Sequence, residues 1–250
     1  MAESYSHFPT ANEIIVSAFE LIRVYDANAA NVPISSQYTR AIQALNFMLT
    51  AWQSDGLQLW ARKTSSFPLV QGTTSYSVGS GGTININRPL KIYNAWRQDS
   101  SGSENIDIPI EVLSEDKYYA LANKETEGTP IAIYYDPRYE SNAVQEGSTA
   151  KGLIYVYQPA DATDATNSTV YFRYQRPFND FTDTSDTLDF PQEWNEAIKF
   201  GLAVRLAFVY GTPMLEYDRL KKMADEAKEQ AMGFDMESHS FFIQPDTKWN

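Results

Sequence analysis

The stretch Leu49-Thr50-Ala51-Trp52-Gln53-Ser54-Asp55-Gly56-Leu57 separates two kinds of sequence pattern. Before it, apolar residues recur every three or four positions from about Ser36, which predicts a helix that ends near Ser54. Gly56 is a typical residue just beyond a helix end. After Leu57 the apolar period shortens, and strands are predicted instead. The chain therefore changes from helical to β structure at this point.

Helical patterns also occur at both ends of the chain. Thr10-Ala11-Asn12-Glu13 is a capping box that predicts a first helix, because each of Thr10 and Glu13 can bond the other's backbone N–H. Near the other end, a helix is predicted from about Pro191 to Tyr210. It is apolar on nearly every side after Phe200, which is typical of a buried central helix. A last helix is predicted over about Met214–Met232, with Gly233 as its stop.

Seven strands and one short helix are predicted between these helical segments. The strands are Thr64–Val70, Thr74–Val78, Leu90–Gln98, Ile106–Val112, Ile131–Tyr135, Leu153–Tyr157 and Val170–Gln175. The short helix follows Ser114 and reaches Ala122. Two polar segments, Glu140–Lys151 and Ala160–Ser168, are predicted to be solvated loops.

The predicted fold is α+β, because helices, strands and helices follow one another along the chain. We expect a discontinuous antiparallel helical bundle formed by residues 1–62 and 191–232. An antiparallel β domain, residues 63–190, would be inserted into it. Residues 233–250 would form an extended C-terminal arm.

The predicted arm is unusually rich in large apolar residues for a segment without periodicity. These residues are Phe234, Met236, Phe241, Phe242, Ile243 and Trp249. Disordered tails are normally poor in such residues. The segment therefore either packs on its own domain or becomes ordered on a partner protein. Pro245 fits an extended arm better than a helix.

Composition excludes several classes of function. The net charge is −12, with 20 Lys and Arg against 32 Asp and Glu, so a surface that grips DNA phosphates is not expected. The charge either keeps the protein soluble or lets a DNA duplex pass without adhering. There is no cysteine, which excludes disulfides and thiolate metal sites. The apolar run Phe200–Tyr210 is interrupted by Arg205 and is shorter than the roughly 20 residues that span a bilayer.

No arrangement of residues predicts catalysis or a cofactor. The two histidines, His7 and His239, lie near the termini, and no G-x-S-x-G sequence presents a serine nucleophile. Residues 161–167, DATDATN, lack the glycine and terminal glutamate of a calcium loop. We therefore predict neither an enzyme nor a metal-binding protein.

A cluster of carboxylates leaves one catalytic alternative open. Glu111, Glu115 and Asp116 lie near a predicted strand end, and two acids at a suitable separation can hydrolyse glycosidic bonds. A cell-wall hydrolase is therefore an alternative. The simpler interpretation is that these acids lie at the start of the short helix after Ser114.

Several short segments follow one another in a characteristic order along the chain. They are residues 49–57 followed by Leu59-Trp60, FPLVQGTTSYSVG (67–79), RPLKI (88–92), GTP (128–130) with YYDP (134–137), and FPQEWNEAI (190–198) with Leu202-Ala203. In this order they resemble the head-to-tail adaptors of short-tailed phages, also called tail accessory factors or packaged-DNA stabilisation proteins. The resemblance covers about residues 36–211, and its strength is the collinear order of the segments.

The resemblance implies a structural role in the virion at the head–tail interface, after synthesis in the host cytoplasm. A ring of about twelve copies would bind the portal protein, form part of the DNA channel and carry the tail nozzle or other tail proteins. Genomic DNA would pass without sequence-specific binding. We expect the helices to form the ring, the β domain to form the platform, and the arm to bind the portal.

One further alternative does not rely on the resemblance. The β segment and its Tyr and Trp content would also suit a carbohydrate-binding or receptor-binding tail module, because such side chains combine an apolar body with a polar tip.

Overall fold

A computed structural model describes residues 9–25, 33–53, 59–137 and 151–234. These ranges contain α-helices and β-strands in a mixed α+β fold, which confirms the class predicted from the sequence. The α-helices are α1 (Ala11–Leu21), α2 (Ser35–Gln53), α3 (Glu115–Ala120), α4 (Ala162–Asn167), α5 (Asn195–Tyr210) and α6 (Met214–Phe234). Two short 3-10 helices precede β1 and α5, at Leu59–Ala61 and Gln192–Trp194.

The strands follow the predicted positions with shifts of one or two residues. They are β1 (Arg62–Pro68), β2 (Ser75–Val78), β3 (Lys91–Asp99), β4 (Ile106–Leu113), β5 (Ala132–Asp136), β6 (Gly152–Tyr157) and β7 (Ser168–Gln175). The capping box is also confirmed. The Glu13 N–H donates to Thr10 Oγ1, and the Thr10 N–H donates to Glu13 Oε2.

The chain divides into two compact units. A helical unit contains the described residues up to Trp60 and from Phe178 onward, and a β unit contains those of Ala61–Pro177. The sequence predicted that the β domain ends at residue 190, whereas in the structure the β unit ends at Pro177. Segment 178–190 belongs to the helical unit because the rings of Phe178 and Phe190 lie 4.9 and 4.7 Å from that of Trp60.

Helix α5 is the centre of the helical unit. Helices α1, α2 and α6 all contact it, and its residues Ile198, Leu202 and Leu206 are fully buried. The close approach of α2 and α5 depends on Gly201. A Cβ at that position would lie 2.8 Å from Met48 Sδ, well inside van der Waals contact.

Gly201→Val is expected to lower the free energy of unfolding by about 1–3 kcal/mol, because the added side chain must displace Met48 and Trp52 from a packed contact. Urea unfolding followed by tryptophan fluorescence measures the change. Gly233→Ala is the matched control. A Cβ there meets nothing within 4 Å, so we expect no loss and a gain of up to about 1 kcal/mol. Equal midpoints for Gly201→Val and the wild type would contradict the close contact.

The β unit is a curled seven-stranded sheet in the order β1-β7-β3-β4-β5-β6-β2. The predicted purely antiparallel pairing is wrong at one place, because β4 and β5 are parallel. Helix α3 and the loop after it connect these two strands, and a connection of that length allows a parallel crossover. All other pairs in the sheet are antiparallel.

Curling brings the two edge strands together around one core. The ring of Phe67 on β1 lies 4.6 Å from that of Tyr76 on β2, although these strands occupy opposite ends of the strand order. The interior between them is filled mainly by aliphatic and aromatic side chains: Val78, Ile92, Ala95, Ile110, Ile133, Ile154, Val156, Val170 and Phe172.

Segment Ala160–Ser168 is not the solvated loop that its composition predicts. Most of it forms α4, with Asp161 at the N-cap, where Oδ1 accepts from the N–H groups of Thr163 and Asp164. Asp164 is buried and binds Arg97 of β3. The prediction failed because the partner of Asp164 is distant in sequence. The other predicted loop, Glu140–Lys151, lies almost entirely outside the described residues.

Candidate interaction surfaces

The predicted arm begins differently from what the sequence indicated. Helix α6 does not stop at Gly233 but continues to Phe234, so the predicted start of the arm at residue 233 is wrong. Gly211 does end its helix, because its φ of 71° is left-handed, whereas Gly233 remains helical. The remaining predicted arm residues lie outside the described part of the chain: Met236, Phe241, Phe242, Ile243 and Trp249.

An exposed apolar surface occurs where α5 turns into α6. Four large apolar side chains are exposed on the two sides of the turn, and Phe208 is 86% exposed. We call this surface the α5–α6 corner; it consists of Phe208, Val209, Met214 and Leu215. The turn is well defined, since the Thr212 N–H donates to the Ala207 carbonyl and the Glu216 N–H to that of Pro213.

The corner corrects the expectation that the whole run Phe200–Tyr210 is buried. Leu206 and Ala207 are buried, but Phe208 and Val209 are not. Helix α5 thus carries more apolar side chains in its last turn than its own unit covers. The apolar end of a helix next to a glycine turn is the sequence feature that could have indicated this surface. Periodicity alone, however, does not distinguish a buried helix end from an exposed one.

Charged side chains lie beside the corner. Arg23, two residues after the end of α1, forms an ion pair of 3.3 Å with Glu216 in the first turn of α6. Both groups are partly exposed, so the pair contributes little to stability. An apolar centre with a polar rim is the usual arrangement of a protein–protein interface.

The tyrosines of the β unit are used partly for packing. Tyr118 of α3 stacks on Tyr134 with ring centroids 5.1 Å apart, and Tyr155 lies 5.2 Å from Tyr118. Burial raises the pKa of Tyr118 above its usual value. Tyr119, by contrast, is exposed. The high tyrosine content therefore does not by itself indicate a binding surface.

A second surface lies on the side of the sheet that faces away from the core. Around Tyr93, the Arg62 guanidinium lies 4.5 Å and the Lys91 ammonium 5.4 Å from the ring centroid. Arg173 and Tyr93 line one shallow groove of about 470 Å³. We call Arg62, Lys91, Tyr93 and Arg173 the cationic face. The stacked rings of Trp96 and Tyr171, 5.5 Å apart, lie on the same side of the sheet.

The helical unit carries a segment of opposite charge. Residues 178–198 contain six acids and no Lys or Arg. We call residues 179–189, with four of these acids, the acidic loop. Asp186 Oδ2 accepts from the N–H groups of Asp183 and Thr182 and from the Thr182 hydroxyl. These hydrogen bonds, those from the two backbone N–H groups first, hold the pKa of Asp186 below its usual value, and they tie its carboxylate to residues 182 and 183 of the loop.

Comparison with known protein families favours the adaptor interpretation. The family model of the SU10 adaptor protein matches residues 10–238, which is most of the chain. The chain belongs to the SU10 adaptor protein family. It is therefore a structural adaptor of a phage virion, and adaptors of this kind interact with other head and tail proteins. No curated protein matches the sequence of this adaptor.

The acids considered as catalytic candidates hold structural positions in the adaptor. Glu111 Oε1 forms an exposed ion pair of 2.9 Å with Lys117. Glu115 and Asp116 lie in the first turn of α3, behind the Ser114 N-cap. No group of three or more potential metal-ligating His, Asp or Glu side chains occurs among the described residues, which do not include His7 or His239. None of the helices in the described ranges is long and apolar enough to cross a membrane.

Proposed function

We propose that this adaptor forms a closed ring on the portal, extends the DNA channel and offers a platform to the tail. The family match supports a connecting role, and the exposed α5–α6 corner carries the proposal of a ring. A ring requires head-to-tail contacts between unlike surfaces of identical chains. In our proposal the corner is one of these surfaces and packs on the neighbouring copy.

The size of the corner favours assembly on a template over spontaneous assembly. Full burial of a large apolar side chain contributes about 1.5–3 kcal/mol, and the corner has four such side chains, which are 56–86% exposed before assembly. Association itself costs about 4–15 kcal/mol in lost translational and rotational freedom. The corner alone would thus give weak binding, whereas copies held by a portal would meet at a high effective concentration.

The proposal is tested by mixing the full chain with portal rings of the same phage and imaging the product by electron microscopy. We expect an additional ring with the symmetry of the portal, and a chain that is monomeric or weakly associated without the portal. A chain that leaves the portal undecorated at micromolar concentration would overturn the proposal.

In this proposal, residues 235–250 attach the adaptor to the portal. Their deletion is expected to abolish portal attachment and to leave the unfolding midpoint unchanged, because the six described helices remain whole. Pull-down on immobilised portal and thermal unfolding measure the two effects. A matched control replaces residues 235–250 by a Gly/Ser segment of equal length, which preserves chain length but removes the apolar side chains. Normal attachment of either variant would refute the role of the arm.

One observation favours a second candidate, a carbohydrate-binding tail module. The groove beside Arg173 is lined by Trp96, Asn94 and Asp107, a combination of an aromatic ring with polar groups that suits sugar hydroxyls. Quenching of tryptophan fluorescence by host polysaccharide, lost in Trp96→Ala but not in the control Trp60→Phe, would support it. Absence of quenching would exclude it.

A further inference from the structure

The negative charge of the adaptor is distributed unevenly between its two units. Residues 1–60 and 178–250 contain 9 Lys and Arg against 19 Asp and Glu, a net charge of −10. Residues 61–177 contain 11 against 13, a net charge of −2. The β unit is therefore nearly neutral, although the whole chain is strongly acidic.

The cationic face concentrates positive charge within the β unit. The distances of 4.5 and 5.4 Å to the Tyr93 centroid place the charged groups of Arg62 and Lys91 within about 10 Å of each other. Lys91 and Arg173 are exposed, and neither forms an ion pair with any residue that the structure describes. Asp107 lines the groove beside Arg173, but its Oδ1 accepts from Gln98. Lys91 and Arg173 thus leave two exposed positive charges without an ion pair on one side of the sheet, which favours an anionic ligand.

The acidic loop has the complementary properties. Asp180 and Asp183 are exposed, and the bonds to Asp186 fix the backbone that carries them. Asp183 Oδ1 accepts from the Thr184 N–H and hydroxyl, which orders this carboxylate further. A fixed row of carboxylates loses less conformational entropy on binding than a flexible one.

We infer that the cationic face of one copy binds the acidic loop of the next copy in the assembled ring. The inference rests on the proposed ring and names one of its side-to-side contacts. A closed ring needs two different, complementary surfaces on one chain, and here the β unit provides one and the helical unit the other. Charge complementarity would fix the register of neighbours, while the apolar corner contributes burial.

Nucleic acid fits the cationic face less well. Single-stranded sites present aromatic faces on which bases stack, but Trp96 and Tyr171 stack on each other with an interplanar angle of 9°. Duplex binding uses many phosphate contacts, and three cations on a unit of net charge −2 provide few. An oligonucleotide therefore serves as the competing ligand in the test.

The first test is cross-linking of the full chain bound to portal rings with a carbodiimide, which joins amines to nearby carboxylates. An equal mixture of ¹⁵N-labelled and unlabelled chains is used, so that mass spectrometry separates links between copies from links within one copy. We expect mixed-isotope peptides that join Lys91 to Asp180 or Asp183, with yields that fall as salt increases. Only same-isotope links, or none at Lys91, would overturn the inference.

The second test is a charge exchange. Lys91→Glu/Arg173→Glu is expected to lower occupancy of the portal by neighbouring copies at least about tenfold, and so is Asp180→Lys/Asp183→Lys. Combining the four substitutions should restore occupancy. The control Lys63→Glu/Lys221→Glu changes the net charge by the same amount as Lys91→Glu/Arg173→Glu, but at exposed positions outside the cationic face. It should leave the occupancy of the portal unchanged.

The outcomes separate this inference from the proposed ring. A wild-type chain that never binds the portal would refute the proposed function. A wild-type ring that tolerates both charge reversals would overturn only the inference. A third outcome would also overturn the inference. The variant with all four substitutions would fail to restore assembly, and Lys91→Glu/Arg173→Glu would lose binding to a fluorescent oligonucleotide. That result would assign the cationic face to nucleic acid.

Discussion

Asp164→Ala is expected to lower the free energy of unfolding of the β unit by about 3–5 kcal/mol. Arg97 is 6% exposed and Asp164 7% exposed, and their charged groups are 2.5 Å apart. The Ser168 hydroxyl accepts from Arg97 and donates to Asp164, which completes a buried polar cluster. Removal of the carboxylate leaves the guanidinium charge buried beside the neutral Ser168 hydroxyl, with Asp99, 3.7 Å away, as a weaker ionic partner.

Guanidinium chloride unfolding, monitored by near-ultraviolet circular dichroism, measures this loss. Glu111→Ala is the matched control, because it breaks an ion pair of similar length whose groups are both mostly exposed, and should cost at most about 1 kcal/mol. Arg97→Met/Asp164→Leu should regain most of the loss, since replacing both charges removes the desolvation cost. A loss below about 1 kcal/mol for Asp164→Ala would show that water or Asp99 solvates Arg97 adequately.

The Arg97–Asp164 pair also illustrates what the sequence could not predict. Its two residues are 67 positions apart, and residues 161–167 have the composition of a polar loop. No local sequence pattern indicates that Asp164 pairs with a buried guanidinium group. The parallel pairing of β4 with β5 is a similar case, because strand register is set by long-range packing that alternation along one strand does not specify.

The features that the sequence predicted correctly depend on neighbouring residues. The capping box of α1 joins residues three positions apart, and each of the seven strands was indicated by its own pattern and turns. The boundary at Pro177 was missed because segment 178–190 has no helical pattern, yet two of its three phenylalanines, Phe178 and Phe190, pack on Trp60 in the helical unit. The adaptor interpretation came from the collinear motifs, and the family match confirms it.

The α5–α6 corner could not be predicted as a surface, because an apolar helix end looks the same in sequence whether it is covered by its own unit or by another chain. Phe208 is 86% exposed in the described chain, so its side chain contributes little to folding. Phe208→Ser/Leu215→Ser is therefore expected to change the free energy of unfolding by no more than about 0.5 kcal/mol per site. Solubility of the isolated chain should increase, because the exposed apolar area decreases.

The same double variant should assemble poorly on the portal. Large aromatic side chains at the centre of an interface commonly contribute 2 kcal/mol or more, which corresponds to about a 30-fold higher concentration for half-maximal ring formation. Electron microscopy and native mass spectrometry of titrated portal complexes measure that concentration. Ile131→Ser, at an exposed apolar position of the β unit, is the control and should leave it unchanged. If the corner variant forms rings at the wild-type concentration while retaining its fold, neighbouring copies do not cover the corner, and the apolar contact of the proposed ring must lie elsewhere.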